Sequence, residues 1–281
     1  MREVNVRNGS DSVMAPFPAA GRAGVLVRDD RSGRVLVDHD ADAVFETASI
    51  IKLGVLAVLC ARADDGVVPL DGPVVVEEGD RAPGDGILRE LSLPVTWTPR
   101  DLAVAMTVLS DNTATNTLLR VLGVEAINAQ LAAWGLAITR SRGPIRPREP
   151  GAPGIGVTTA RECVELLDGL RLARFASAET SAWAMRVLEG QQDGRAMSRF
   201  LRWPARCAHK TGTWSTYRHD VGVLLADDGS ALATLAFLTE GMGRPVEWHD
   251  HPAVIAIGHA TVAAIRALDL PIALTPDVAG G

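Results

Sequence analysis

The sequence predicts a mixed α/β (α+β) fold: an antiparallel sheet built from both chain ends, flanked by helices, with further helices inserted as a separate lobe. Three observations predict it. Gly24–Arg28 and Arg34–Asp38 are short β-rich runs around the polar loop Asp29-Asp30-Arg31-Ser32-Gly33, which reads as a hairpin. Asp220–Ala226 and Ala231–Thr239 flank Asp227-Asp228-Gly229-Ser230 and repeat that signal near the other end. The sequence between them is mostly helical in pattern.

In chain order, Thr47–Ala63 is apolar nearly all round and reads as a central, buried helix. Thr98-Pro99 supplies an N-cap followed by proline at the first helical position, opening a helix to about Leu109. Thr113–Leu122 and Val124–Trp134 read as the next two helices. Arg140–Val157, rich in Gly, Pro and Arg, reads as a long loop. Thr158 and Thr159 then cap a helix to about Leu170, Ala178–Glu189 forms another, and Pro252–Leu268 is a final amphipathic helix. Glu77-Glu78-Gly79-Asp80 reads as a solvated turn.

Composition narrows the function classes. The chain has 281 residues, 47% hydrophobic and 22% charged, which excludes disorder as a description of the whole. A net charge of −6 argues against a nucleic-acid-binding surface. No apolar run is long enough for a membrane span. The first twenty residues lack the apolar core of a secretory signal, so the chain as it stands is expected to be cytoplasmic; a trimmed periplasmic or secreted form would read the same. Cys60, Cys163 and Cys207 have neither ligand spacing nor an even number. They are expected to be small buried hydrophobes, with no metal and no cofactor.

The basic residues carry more information. Of 28 lysines and arginines, only Lys52 and Lys210 are lysine. Arginine keeps its proton in a protein, whereas a buried lysine can lose it and act as a base. Ser49-Ile50-Ile51-Lys52 places a hydroxyl and an amine one turn apart on the same helix face, with Leu53, Val55 and Leu56 following. Desolvation favours the neutral amine, and the helix N-terminus favours negative charge developing on the serine oxygen. That is one way to activate a nucleophile. Ser110-Asp111-Asn112 follows an apolar helix end as a polar turn suited to capping the next helix. His209-Lys210-Thr211-Gly212-Thr213 precedes the C-terminal hairpin and reads as a strand whose glycine allows close approach to its backbone.

Taken in order, S-x-x-K, S-D-N and K-T-G resemble the motifs of class A β-lactamases and penicillin-binding serine hydrolases. Phe45 stands four residues before the serine as in that family. Val95–Thr98 with the helix after it, Ser110–Asn116, Thr158-Thr159 with their helix, and Ala208–Val223 extend the resemblance over residues 22–268. It implies a β-lactamase/transpeptidase-like catalytic domain over 22–268. Residues 22–46 and 198–268 would form the sheet part and 47–197 the helical part, with 1–21 an N-terminal extension.

The resemblance also implies roles. Ser49 is the acylated nucleophile, and Lys52 is a general base, directly or through water. Ser110 and Lys210 pass a proton to the leaving nitrogen and hold the substrate carboxylate, which Thr211 also contacts. Asn112 bonds the substrate's side-chain amide. The N–H groups of Ser49 and Thr213, beside Gly212, form the oxyanion hole. Asp111 and Asp220 are structural, Arg218 is a candidate carboxylate contact, and Trp97 stands in for an aromatic wall. The implied partner is a small β-lactam, amide or ester bearing a carboxylate, and a monomer is expected.

The chain departs from the family at the deacylating glutamate. Counting from Arg140, the family's Glu falls near Ile145; counting by the local Glu-Pro pair, Glu149 takes that role. The loop's usual Arg–Asp clasp also looks absent, because Val157 precedes Thr158. Three functions therefore stand beside one another: a β-lactamase, an amidase, esterase or transacylase acting on a non-lactam substrate, and a sensor that is acylated and stays so.

Overall fold

A computed structural model describes residues 6–147, 153–244 and 251–279. The chain divides into two compact units, one of Met1–Phe45, Thr159–Val164 and Asp193–Gly281, the other of Glu46–Thr158 and Glu165–Gln192.

The first unit is built on the two hairpins. It opens with helix α1 (Val6–Met14), then strands β1 (Arg22–Asp29) and β2 (Val35–His39). A two-residue strand β3 (Phe45–Glu46) marks the boundary with the second unit. From the C-terminal half come β8 (Arg206–Trp214), β9 (Tyr217–Leu225), β10 (Ala231–Glu240) and helix α8 (Pro252–Ala267). These five strands form an antiparallel sheet in the order β2-β1-β10-β9-β8. The chain ends therefore meet at its centre, where Arg22 pairs Glu240 and Asp29 pairs Ala233. Val25, Val27, Leu235 and Phe237 project from it into a core with Ala253, Ile257 and Ile265 of α8. Val13 of α1 is fully buried in that core. The sequence VRNGSDSVM contains a glycine and two serines, so α1 has little intrinsic helix propensity and is held by packing.

The second unit is organised around α2 (Ile51–Asp64), buried from Ile51 through Cys60. A helix apolar on every side must be surrounded. Its neighbours are α3 (Pro99–Val108), α4 (Asn112–Leu122), α5 (Val124–Ala133) and α7 (Ala178–Glu189). Two small ladders complete the unit: β4 (Val74–Val76) on β5 (Val95–Trp97), and β6 (Arg140–Ser141) on β7 (Gly156–Thr158). Helix α6 (Ala160–Arg171) starts in the first unit, where Thr159 Oγ1 accepts from the Glu162 N–H at 3.1 Å, and ends in the second. Cys60, Cys163 and Cys207 are buried thiols, as expected. Among the described residues, no helix is long and apolar enough to cross a membrane.

Three expectations need correction. The α-helix begins at Ile51, not Thr47; Ala48–Ile50 is a 3-10 turn entered through Ala48 at φ 42°. The stretch Arg140–Val157 is closed at both ends by the β6–β7 ladder rather than being loop throughout. In the Glu77–Asp80 turn, Glu77, Glu78 and Gly79 are exposed as expected, but Asp80 is 4% exposed and accepts from the Glu77 N–H, the Thr117 hydroxyl and the Arg120 guanidinium.

Candidate active site

The second unit holds the S-x-x-K and S-D-N segments. Ser49 lies half-buried in the 3-10 turn that leads into α2, one turn before Lys52. Its preceding residue, Ala48, is held in the left-handed region, a conformation that costs a non-glycine residue about 1 kcal/mol or more. Lys52 is 1% exposed. Its Nζ donates to Ser110 O at 2.6 Å and Asn112 Oδ1 at 2.7 Å, and lies 3.0 Å from Ser110 Oγ. The two S-D-N side chains expected to act on substrate thus converge on the one buried amine of α2. Ser110 itself has φ 55°, and Lys52 fastens both its carbonyl and its hydroxyl.

The turn is held by Asp111, which is fully buried. One carboxylate oxygen accepts the Ile87 and Leu88 N–H groups at 2.7 and 2.9 Å; the other caps α4 through Ala114 N–H at 2.8 Å. Three donors satisfy the charge that burial would otherwise penalise. The carboxylate therefore belongs to the scaffold, in line with the structural role expected of it. Gly86 makes this approach possible. It has φ +111°, and a Cβ there would collide with the Asp111 carboxylate. The Asn112 amide also donates to Pro83 O at 2.7 Å, so both ends of that side chain are engaged.

Asn116 is a residue the sequence reading passed over. Its side chain brackets Ile145, donating to the carbonyl at 2.9 Å and accepting from the N–H at 2.7 Å. Ile145 is 8% exposed, so the residue near which counting from Arg140 puts the family's glutamate is a buried aliphatic. The signal that could have pointed to Asn116 was its place one turn after Asn112 on the same helix face. Glu149 lies outside the described residues. The loop has a clasp of another kind, Arg142 Nη1 to Glu46 Oε2 at 2.5 Å.

The first unit holds the K-T-G segment on β8. Lys210 is fully buried and Thr211 is 7% exposed, and Lys210 Nζ donates to Thr211 O at 2.9 Å. Behind the strand, His209 Nδ1 lies 2.9 Å from Asp220 Oδ1, while Asp220 Oδ2 accepts Met197 N–H at 2.9 Å. Asp220 is therefore the structural partner the sequence suggested. Gly222 faces His209 across the ladder, where a Cβ would come within 2.5 Å of the His209 Cβ. Arg218 is 2% exposed, donates to Ser215 O and Tyr217 O, and lines a small cavity with Thr211, Thr213 and Asp193. Burial would raise the Asp193 carboxyl, but Arg195 and then Lys210 outweigh it and hold it below its usual range.

Among the described residues, no cluster of His, Cys, Asp and Glu could hold a metal. The motif side chains offer serine hydroxyls, the buried amines of Lys52 and Lys210, and hydrogen-bond donors.

The family model described as the beta-lactamase enzyme family matches residues 11–268. The chain belongs to that family. Within the β-lactamase family, Beta-lactamase L2 of Stenotrophomonas maltophilia is 34% identical over 122 residues, which are 43% of this chain and 40% of that protein. The aligned stretch thus spans well under half of that curated relative. The beta-lactamase from Sphaerobacter thermophilus is 28% identical, with TM-score 0.82 over 96% of this chain and 98% of its own. PBP-A shares the fold with TM-score 0.83, 23% identity, and coverage of 93% and 96%.

Proposed function

We propose that this β-lactamase-family chain is a serine hydrolase that opens the amide bond of a β-lactam, or of a related carboxylate-bearing amide, through an acyl-enzyme on Ser49. The observation that carries the reading is the buried Lys52 amine, whose Nζ lies within 3.0 Å of the Ser110 hydroxyl and 2.7 Å of the Asn112 amide oxygen. Support also comes from relatives. Beta-lactamase L2 is known in complex with relebactam, and a PBP-A variant as an acyl-enzyme with penicillin G.

In this reading residues 22–268 act as one catalytic domain, as a monomer. Lys52 takes the Ser49 proton, directly or through water, as Ser49 Oγ bonds to the carbonyl carbon. The N–H groups of Ser49 and Thr213, beside Gly212, hold the oxyanion. The C–N bond breaks as Ser110, with Lys210, delivers a proton to the departing nitrogen. Lys210 and Thr211 hold the substrate carboxylate, and Asn112 exchanges a present partner for the substrate's side-chain amide. Water then adds to the ester and releases Ser49, with Glu149 as the base that activates it.

Buried Ile145 favours a second reading for the last step. If no carboxylate serves there, the acyl group persists or passes to an amine. Intact-protein mass spectrometry after mixing with benzylpenicillin decides among these. An adduct on Ser49 that disappears as hydrolysed penicillin accumulates is expected. A persistent adduct supports the second reading. No adduct and no product would overturn lactam chemistry and point to other amides and esters.

A further inference from the structure

Beside the S-D-N turn, within the second unit, lies a cavity of about 660 Å³ that the proposed mechanism does not use. Its wall is one face of α3: Asp101, Val104, Ala105 and Val108 fall at i, i+3, i+4 and i+7. Trp97 of β5 and Ile87 and Leu109 complete the apolar lining. Ile87 is 52% exposed, Leu109 40% and Val104 37%, so three large apolar side chains of the lining are left open. The volume falls in the range of small-molecule sites, and a mostly apolar lining with a few polar groups is their usual make-up.

Two links join this cavity to the catalytic turn. Leu109 precedes Ser110 in the chain, and the Ile87 N–H is bonded to Asp111 Oδ2 at 2.7 Å. Ser110 is the residue that, on the reading above, protonates the departing nitrogen. On that reading, a group seated between Ile87 and Leu109 would belong to the leaving side of the substrate. The charged residues of the lining are Asp71, paired with Arg100 at 2.7 Å, and Asp101, bonded by the Thr98 hydroxyl at 2.8 Å. Both are carboxylates, which disfavours an anionic arm.

We propose that this cavity is a subsite for an uncharged, aryl-sized substituent on the leaving-group side of the substrate. The proposal rests on the serine-hydrolase reading for its orientation, and its test separates the two. Two β-lactams with the same acyl part, carrying methyl or phenyl on the leaving side, are compared by their rates of Ser49 acylation. The phenyl compound should react about tenfold faster. Val104→Trp, which fills the cavity, should bring the ratio near one, while Val104→Ala should keep it. A ratio near one in the unaltered protein, or one that Val104→Trp leaves alone, would overturn the subsite. If neither lactam labels Ser49, the lactam chemistry of that reading fails, and acetanilide then decides the cavity separately. Its titration should shift the methyl NMR signals of Val104 and Leu109 in the unaltered protein, and the Leu109 shift should be lost in Val104→Trp. Absence of any shift would remove the subsite.

Discussion

On the proposed reading, Lys52 Nζ is the atom that takes the serine proton. Its three contacts with Ser110 and Asn112 are all to neutral oxygens, in a site where the lysine is 1% exposed. Arginine would keep the charge but bring a planar fork that cannot give up a proton. Lys52→Arg should therefore lower the acylation rate about a hundredfold or more, the usual share of a general base, with the fold retained by circular dichroism. An acylation rate close to that of the unaltered protein would show that proton abstraction at this position is not what drives the reaction. Asp111 makes a different prediction. Asp111→Ala strands three N–H donors that now share one carboxylate, so it should cost about 3 kcal/mol or more of stability in denaturant melts. A loss of activity with unchanged stability would move Asp111 from scaffold to chemistry.

At the scale of elements, legibility followed locality. Both hairpins were readable because strand, turn residues and return strand follow one another within about 25 residues of chain. The N-cap of α3 was readable for the same reason: Thr98 Oγ1 accepts Asp101 N–H three residues on. The entry to α2 was not, because the left-handed turn at Ala48 is imposed by packing on a residue with no preference for it. Asp80 was misread because its partners Thr117 and Arg120 lie 37 and 40 residues away, and nothing in Glu-Glu-Gly-Asp announces them. That misreading has a measurable consequence. Burial would raise the Asp80 carboxyl, but Arg120 and the Glu77 N–H outweigh it and hold it below the usual 3.8. Its contribution to stability is then fully present above that value and lost as pH falls through the lower folded value. Unfolding midpoints should be level down to about pH 4 and fall below it, and Asp80→Asn should flatten the fall. An identical acid limb in the variant would assign it to other carboxylates. The same logic of distance applies to Gly86→Ala, which should destabilise by about 2 kcal/mol or more through the Asp111 collision.

For the molecule as a whole, the motif residues were legible as chemistry before they were legible as geometry. S-x-x-K and S-D-N name the residues, and the second unit brings Lys52, Ser110 and Asn112 within hydrogen-bonding distance. The helix α1 was not legible, since its short, glycine-containing sequence forms a helix through tertiary contacts alone. Its Val13 sits in the core of the first unit beneath the sheet that both chain ends build. Removing residues 1–14 should thus lower stability by about 2 kcal/mol or more, read as a drop in Tm. An unchanged Tm would make the helix dispensable.

The buried thiols turn the same architecture into a gauge. Burial pushes the Cys60 thiol up to about 12, and it sits on α2 eight residues after Lys52. Alkylation there must wait for α2 to come out of its surroundings, so the reaction clock reports how often this helix breathes. Slower alkylation after acylation of Ser49 would mean that the bound acyl group damps that breathing.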